Sequence, residues 1–332
     1  MDVMVSALTR LAFATLGMAG SPRLSILIFH RVHQRADPLF PDEPDAVYFE
    51  RLMRLVARSF RVMTLGQAVS RLARGELPSR ALVVTFDDGY ADNALVALPI
   101  LQRCGLAASF FVSTGFLDGG RMWNDSVIEC VRACAAPEID LEEFGLGRRA
   151  LPTHEARRAV IDVLLPRIKY LSLAGREDAI QRLQTLSGVV ALPRSLMMTS
   201  EQVRQMHRTG MEIGAHTVRH PILTSLSIDA AQREIADGKH RLESIIDAPV
   251  DVFAYPNGKP HQDYAAPHVA LVQRLGFRAA VSTAPGVAQT GDGLFQLPRF
   301  TPWARSTPTW AAQLALNQRN TAFERVVSDA GA

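Results

Sequence analysis

Short apolar segments rich in β-branched and aromatic residues recur along this chain, and most are followed by a stretch with helical periodicity. This alternation is typical of parallel strands whose crossover helices cover the sheet. The segments interpreted as strands are residues 24–29, 62–65, 81–86, 107–112, 211–215, 252–255, 279–282 and 295–297. Eight such strands predict an α/β fold of the (β/α) barrel type.

The alternation breaks once, in the stretch between the fourth and fifth predicted strands. Helical patterns occur there near residues 126–135 and 153–186, but no strand is recognised. We interpret residues 118–205 as a helical insertion on a barrel of residues 24–305, rather than as a second domain with its own sheet.

The two ends of the chain predict helices outside the barrel. Residues 1–23 predict a lead-in helix, because their apolar core has no basic flank and no good cleavage site for a signal peptide. This helix is too short to span a bilayer, and it leaves peripheral membrane contact open. Residues 306–328 predict a C-terminal helix, followed by a short tail to residue 332.

Charge and cysteine content narrow the class of partner. The 36 basic and 33 acidic residues are dispersed along the chain, so no basic patch indicates nucleic-acid binding. The three cysteines lack the paired CxxC spacing of a zinc ribbon or a redox motif. They are interpreted as reduced residues, which favours a cytoplasmic setting.

Polar clusters follow several of the predicted strands, where catalytic residues of a β/α barrel collect. The motif TFDDGY ends one strand on Asp87 and Asp88, although an aspartate-rich turn capping the next helix is the alternative. The motif GAHTVRHP ends another strand on His216 and His220, and incidental histidines are the alternative. Pro221 favours a tight loop over a helical turn at the second histidine.

One carboxylate and two imidazoles form the three-ligand set of an open catalytic metal site. We therefore predict one divalent metal ion bound by His216, His220 and one of the two aspartates. Zinc is the first choice, and ferrous iron and other first-row metals stay open. Successive side chains on an extended backbone point apart, so the other aspartate is left as a general base.

The motifs TFDDGY and HTVRHP resemble the first two motifs of the polysaccharide deacetylase (NodB-homology) family, carbohydrate esterase family 4. The resemblance covers residues 24–300 and implies a distorted (β/α) barrel. It also implies that Asp87 is the base and that Asp88, His216 and His220 bind the metal.

The segment FAYPNG resembles the FAYPxG variant of the third family motif. It implies that Tyr255, Pro256 and Asn257 line the substrate groove and that the Tyr255 backbone N–H binds the oxyanion, with a plain strand-to-turn junction as the alternative. The commoner form of this motif has an arginine that orients the base, which is missing here. The last family motif has a histidine as general acid, and here Arg299 takes its place. Our hypothesis is that Arg299 orients Asp87 through a charge-assisted hydrogen bond.

Three further residues are candidates for the same site. His30 follows the first strand and is either the missing general acid or a buried, hydrogen-bonded structural histidine. Trp123 and Asn124 either stack on and bind a sugar, or belong to the N-cap and hydrophobic staple of the next helix.

The resemblance implies a metal-dependent hydrolase that removes the N-acetyl group of an amino sugar in a polysaccharide or glycan precursor. The expected partner is an N-acetylated carbohydrate. The alternatives are an O-acetyl carbohydrate esterase and a non-catalytic carbohydrate-binding relative. A metal phosphatase is disfavoured because no basic cluster for a phosphate accompanies the motifs.

Overall fold

The computed structural model describes residues 22–302 and 304–326, so the predicted lead-in helix lies almost entirely outside the described residues. The described strands are β1 (Arg23–Phe29), β2 (Arg61–Val62), β3 (Ala81–Phe86), β4 (Ser109–Val112), β5 (Glu138–Asp140), β6 (Arg148–Ala150), β7 (Glu212–Ala215), β8 (Val252–Ala254), β9 (Ala279–Val281) and β10 (Ala288–Gln289). The described α-helices are α1 (Ala46–Ser59), α2 (Leu65–Ala73), α3 (Leu98–Arg103), α4 (Trp123–Ala133), α5 (His154–Lys169), α6 (Leu173–Ser187), α7 (Ser200–Arg208), α8 (Ile228–Ile246), α9 (Ala266–Arg274) and α10 (Thr307–Asn317).

The main sheet has the strand order β10-β1-β3-β4-β7-β8-β9, and β2 also pairs with β3. Its pairs are parallel except for the antiparallel pair of β1 with β10. All residues of β3 (ALVVTF) are buried, as is typical of a parallel strand covered on both faces. The sheet curls into a half-barrel with helices around it, which confirms the predicted fold class.

The chain after β10 contacts both edges of the curled sheet. The Leu297 N–H donates to the Ala280 carbonyl on β9 (2.9 Å), and the Phe300 N–H donates to the Ile26 carbonyl on β1 (2.9 Å). The predicted strand at residues 295–297 is wrong, because only an isolated bridge forms there, at Leu297. The hydrogen bonds of Leu297 and Phe300 nevertheless hold the chain between these two residues against β9 and β1.

The insertion has an apolar core formed by α4, α5, α6 and β5. The prediction of no strand in this stretch is wrong, because β5 and β6 form a two-stranded antiparallel sheet. Most of their residues are charged and exposed, so they lack the apolar run by which a strand is recognised. The helical pattern at 153–186 is two helices, and Ser172 caps the second by accepting from the Gly175 N–H (3.1 Å).

The helices at the two boundaries differ from the predicted ones. Helix α7 packs against β7 and α8, so the predicted insertion boundary at residue 205 falls inside a helix that contacts the barrel. Helix α10 ends at Asn317, well short of the predicted residue 328. The Asn317 side chain there donates to the Gly286 carbonyl (3.0 Å). Across the described helices, none has both the length and the apolar character needed to cross a bilayer.

Candidate active site

Strand β3 ends in a tight turn that separates two neighbouring carboxylates. The Asp87 N–H donates to the Phe29 carbonyl (3.0 Å), which continues the pairing of β3 with β1. Asp88 has a positive φ of 75°, and Gly89 follows with a φ of 93°. A Cβ at Gly89 would lie 3.0 Å from a Val112 methyl group, so the turn requires glycine for both its space and its conformation.

Strand β7 ends in the loop that carries the two histidines. The loop is not helical, in agreement with the prediction from Pro221, and Thr217 and His220 both have positive φ. The His216 Nδ1 donates to the Ala254 carbonyl on β8 (2.8 Å). This bond leaves the His216 Nε2 free to accept, and it points that atom towards Asp88.

Helix α8 holds the histidine loop from behind. Glu234 accepts from the backbone N–H groups of Val218 (3.1 Å) and Arg219 (2.8 Å), and its other oxygen accepts from the Arg219 Nε (2.8 Å). Gly238 allows the loop to approach closely, because a Cβ there would lie 2.9 Å from the Thr217 carbonyl carbon. Neither supporting residue is recognisable from the sequence, because both lie in the middle of an ordinary helical pattern.

The loops bring Asp88, His216 and His220 together. The Asp88 Oδ1 lies 3.5 Å from each Nε2, and all three ligand atoms lie within 4.8 Å of one another. Two ligands about 2.1 Å from a tetrahedral zinc would lie about 3.4 Å apart, so the spacing fits a single ion. The Asp88 Oδ1 is buried and has no hydrogen-bond donor among the described residues, as expected for an atom that binds a cation.

The protonation states of Asp88 and His220 suit metal binding. Burial favours a neutral Asp88, but the neighbouring imidazoles of His216 and His220 outweigh burial and lower the pKa of Asp88 well below its usual value. Burial lowers the pKa of His220 to about 3, so its imidazole is neutral at physiological pH. Burial opposes protonation of His216 too, but Asp88 and Asp87 raise its pKa.

Arg299 pairs with Asp87 in the interior. Its two terminal nitrogens each donate to one oxygen of Asp87 at 2.7 Å, and its Nε donates to the Ser282 carbonyl (2.8 Å). Arg299 is 1% exposed and Asp87 is 2% exposed. Burial favours the neutral acid, but the guanidinium outweighs it and lowers the pKa of Asp87, which is therefore held as a carboxylate.

A cleft of about 440 Å³ opens over these groups. Its floor comes from the barrel: His30, Asp87, Asp88, His216, His220, Asn257 and Thr283. Its wall comes from the insertion: Met122, Trp123, Asn124, Leu165, Pro166, Lys169 and Tyr170. The expectation that His30 is a buried structural histidine is wrong, because it is exposed at the end of β1 and faces the cleft.

The third motif contributes less to the cleft than the sequence predicted. Of Tyr255, Pro256 and Asn257, only Asn257 lines the cleft as the structure describes it. The Tyr255 N–H donates to the Val281 carbonyl (3.2 Å), so the strand pairing already uses the proposed oxyanion donor. The Tyr255 ring is fully buried and stacks on Tyr264 at 3.9 Å. The groove-lining expectation is therefore wrong for Tyr255 and Pro256.

The first turn of α4 faces the cleft. Trp123 and Asn124 both line it, and the Asn124 Nδ2 donates to the Tyr90 hydroxyl at 3.4 Å. The N-cap residue is Met122, whose side chain makes no capping hydrogen bond. The arrangement favours the sugar-facing interpretation of these residues over the capping interpretation.

Four cleft residues at the end of α5 were missed by the sequence analysis: Leu165, Pro166, Lys169 and Tyr170. They lie between the TFDDGY and HTVRHP motifs in the chain, at the end of a helix of mixed polar and apolar residues that carries no motif. Only the docking of the insertion on the barrel places them beside the site.

Known proteins resemble this chain in sequence and fold. Residues 178–280, which include the histidine motif and the FAYPNG segment, match the family model described as polysaccharide deacetylase. A Bacillus subtilis (strain 168) protein, the polysaccharide deacetylase homologue YxkH, is 21% identical over 83% of this chain and 70% of its own length. These matches confirm the resemblance to the polysaccharide deacetylase family that the motifs predicted.

Two solved structures share the fold. The Streptococcus pyogenes deacetylase PplD, solved in complex with acetate, has a TM-score of 0.59 and 20% identity, covering 89% of this chain and 99% of its own. A de-N-acetylase from Aggregatibacter actinomycetemcomitans has a TM-score of 0.53 and 16% identity, covering 84% of this chain and 94% of its own. At such identities the likeness establishes the fold, and the chemistry has to be argued from the site itself.

Proposed function

We propose that this protein is a metal-dependent deacetylase that hydrolyses the N-acetyl group of an amino sugar in a polysaccharide or glycan precursor. The observation that carries the proposal is the meeting of Asp88, His216 and His220 at one point, with the separate carboxylate of Asp87 beside them. A bound divalent cation, with zinc as first choice, would lower the pKa of a water and polarise the acetyl carbonyl. The deacetylase PplD, which shares this fold, was solved in complex with acetate, and acetate is a product of the proposed reaction.

Asp87 is proposed as the general base. It is ionised, and one of its oxygens lies 4.0 Å from the His216 Nε2, next to the proposed metal position. From there it can accept the proton of the attacking water. Arg299 is proposed as its positioning residue, because the bidentate pair fixes the plane of the carboxylate.

His30 is proposed as the general acid that the missing family histidine would have supplied. It is exposed at the end of β1 and lines the same cleft as Asp87 and Asp88. From this position it can donate a proton to the leaving amine. Trp123, Asn124 and Asn257 are proposed to hold the sugar.

Acetate release from matched N-acetylated and O-acetylated sugars tests the proposal. We expect the wild type to release acetate from the amide substrates and to lose activity when a chelator removes the metal. We expect Asp87→Asn to keep its metal and lose activity. Release from O-acetyl sugars alone would indicate an esterase instead. Sugar binding with no acetate release from either class would indicate a non-catalytic relative.

The setting of the reaction stays a prediction. The absence of paired cysteine motifs supports a cytoplasmic step, and peripheral membrane contact through residues 1–23 stays open. Cys104, Cys130 and Cys134 are free thiols in the structure, which agrees with a reducing setting.

A further inference from the structure

The last turn of α5 and the residue after it bring a cation to the cleft. Lys169 is half-buried and lines the same cleft as Asp87 and the proposed metal ligands. Its Nζ lies 5.5 Å from the centre of the Tyr170 ring, a cation–π distance. The Tyr170 hydroxyl in turn bonds the side-chain amide of Gln262, on the loop after β8. Tyr170 thus connects the wall of the cleft to the barrel and holds the lysine beside it.

Lys169 has no carboxylate within ion-pair distance among the described residues. The acidic group that acts on it most is Asp263, which is fully buried and accepts from the Lys259 N–H (3.0 Å). The pKa of Lys169 is lowered, mainly by burial. The positive charge of the exposed Lys259 also lowers it. A lysine that is half-buried without an ion pair lacks the partner that would stabilise its charge.

With a divalent ion bound, the balance of charge in the cleft would be positive. Arg299 neutralises Asp87, and the proposed divalent ion would outweigh the charge of Asp88. Lys169 adds to this, and it is one of only three lysines among the 36 basic residues of the chain. A lysine in the last turn of a helix interacts favourably with the helix dipole. This interaction accounts for an exposed lysine, but it does not require a lysine that lines a cleft.

We propose that Lys169 binds an anionic group of the substrate, a phosphate or a carboxylate carried by the acetylated sugar or its neighbour. This proposal rests on the proposed function, since it assigns the substrate class of the same cleft. A lysine binds such a group as a point charge, in a low-dielectric site where the interaction is strengthened. The cleft therefore selects an anionic glycan over a neutral one.

Steady-state acetate release from three substrates tests this. The substrates are a neutral disaccharide of N-acetylglucosamine, N-acetylglucosamine 1-phosphate, and a disaccharide of N-acetylglucosamine with glucuronate, so the last two distinguish the source of the charge. In the wild type we expect KM for one of the anionic substrates to be about tenfold to a hundredfold below that of the neutral one. We expect added salt to reduce this preference.

Variants of the lysine give the decisive comparison. Lys169→Met should raise KM for the preferred anionic substrate to the neutral value with kcat retained, and Lys169→Arg should restore part of the preference. Arg74→Met is the matched control, because Arg74 is exposed, pairs with Glu76 and does not line the cleft. It should leave KM unchanged for both the neutral and the anionic substrates.

Equal KM values for neutral and anionic substrates in the wild type would overturn the proposal while leaving the deacetylase activity standing. A Lys169→Met variant in which KM for the neutral and anionic substrates changes by the same factor would overturn the proposal too, because an equal change indicates a structural role. If no substrate releases acetate, calorimetric binding to Asp87→Asn decides the matter separately. The proposal then requires tighter binding of the anionic sugar, lost in the Asp87→Asn/Lys169→Met double variant, and the absence of that loss would reject it.

Discussion

Asp87 and Asp88 are adjacent in the chain, yet their carboxylates have different partners. The positive φ of Asp88 turns its side chain towards His216 and His220, whereas Asp87 still follows the line of β3 and meets Arg299. The proposed metal ligand thus lies beside imidazoles, and the proposed base lies beside a guanidinium. The backbone turn gives two adjacent, identical side chains different surroundings.

Arg299→Lys should separate the positioning of Asp87 from metal binding. A lysine cannot form the bidentate pair, so we expect kcat to fall about tenfold to a hundredfold while metal content is kept. The guanidinium lowers the pKa of Asp87, and the base acts as the ionised form. Weakening that interaction raises the pKa, so the acid limb of kcat/KM should move to higher pH. The measurement is a pH–rate profile of both proteins.

The control for this variant is Arg278→Lys. Arg278 is 54% exposed at its side chain and lies next to the start of β9, so the same exchange there should leave the profile unchanged. An acid limb that stays in place in Arg299→Lys would argue against a positioning role for Arg299.

The positions of the candidate site residues were predictable where a polar side chain ends a strong apolar run. Asp87, Asp88 and His216 directly follow buried strands, and parallel strands bring their carboxyl ends to one edge. Tyr255 follows a buried strand too, but it continues the pairing with β9 and turns its ring into the core. A single residue of strand extension reverses the side on which a side chain lies, and the sequence pattern does not resolve it.

At the scale of elements, helix α8 supports the loop that carries His216 and His220. The carboxylate of Glu234 accepts two backbone N–H groups of the loop, and Gly238 lets the two backbones meet. Groups that orient metal ligands in this way commonly change metal affinity by about tenfold to a hundredfold.

Gly238→Ala tests the support without altering a ligand. In an ordinary helix this exchange stabilises by about 1 kcal/mol, but here the new Cβ would lie 2.9 Å from the carbonyl carbon of Thr217. We therefore expect the loop to shift, with metal affinity lowered about tenfold or more and a lower Tm. Gly293→Ala is the control, because a Cβ there meets nothing within 4 Å. Unchanged metal affinity in Gly238→Ala would contradict the supporting role of α8.

An ion pair connects the insertion to the barrel. The two terminal nitrogens of Arg132, on α4, donate to the two oxygens of Asp37 at 2.9 and 2.6 Å. Asp37 lies in the segment between β1 and α1, so the pair joins α4 to the chain that leaves the first strand. The docking of the wall that carries Trp123 therefore depends partly on this contact.

Asp37→Asn should cost about 1 kcal/mol of unfolding free energy near neutral pH, since the pair is partly exposed and screened. Burial raises the pKa of Asp37, but the hydrogen bond from Arg132 outweighs it and the folded pKa lies below the unfolded one. The contribution is therefore present above the unfolded pKa of about 4 and lost as the pH falls through the folded one. Urea unfolding of both proteins near pH 7 and near pH 3 measures this. An equal difference at the two pH values would show that the charge of Asp37 contributes nothing.

At the scale of the whole molecule, the barrel was predictable and the wall of the cleft was not. The bounds of β3 and α1 agree with the sequence pattern, because long apolar runs and strong helical periodicity are set by burial in the sheet and its helices. The β5–β6 hairpin is charged and short, and the end of α5 faces the cleft only after tertiary docking. No local pattern encodes that docking, so Lys169 and Tyr170 carried no signal in the sequence.

The proposed deacetylase chemistry requires one divalent ion bound by Asp88, His216 and His220. Elemental analysis of the wild type and Asp88→Asn after equilibrium dialysis against zinc measures this directly. The wild type should bind about one ion per chain, and the variant should bind it at least about a hundredfold more weakly. A wild type that binds no ion, or an Asp88→Asn variant that binds it with unchanged affinity, would contradict the account.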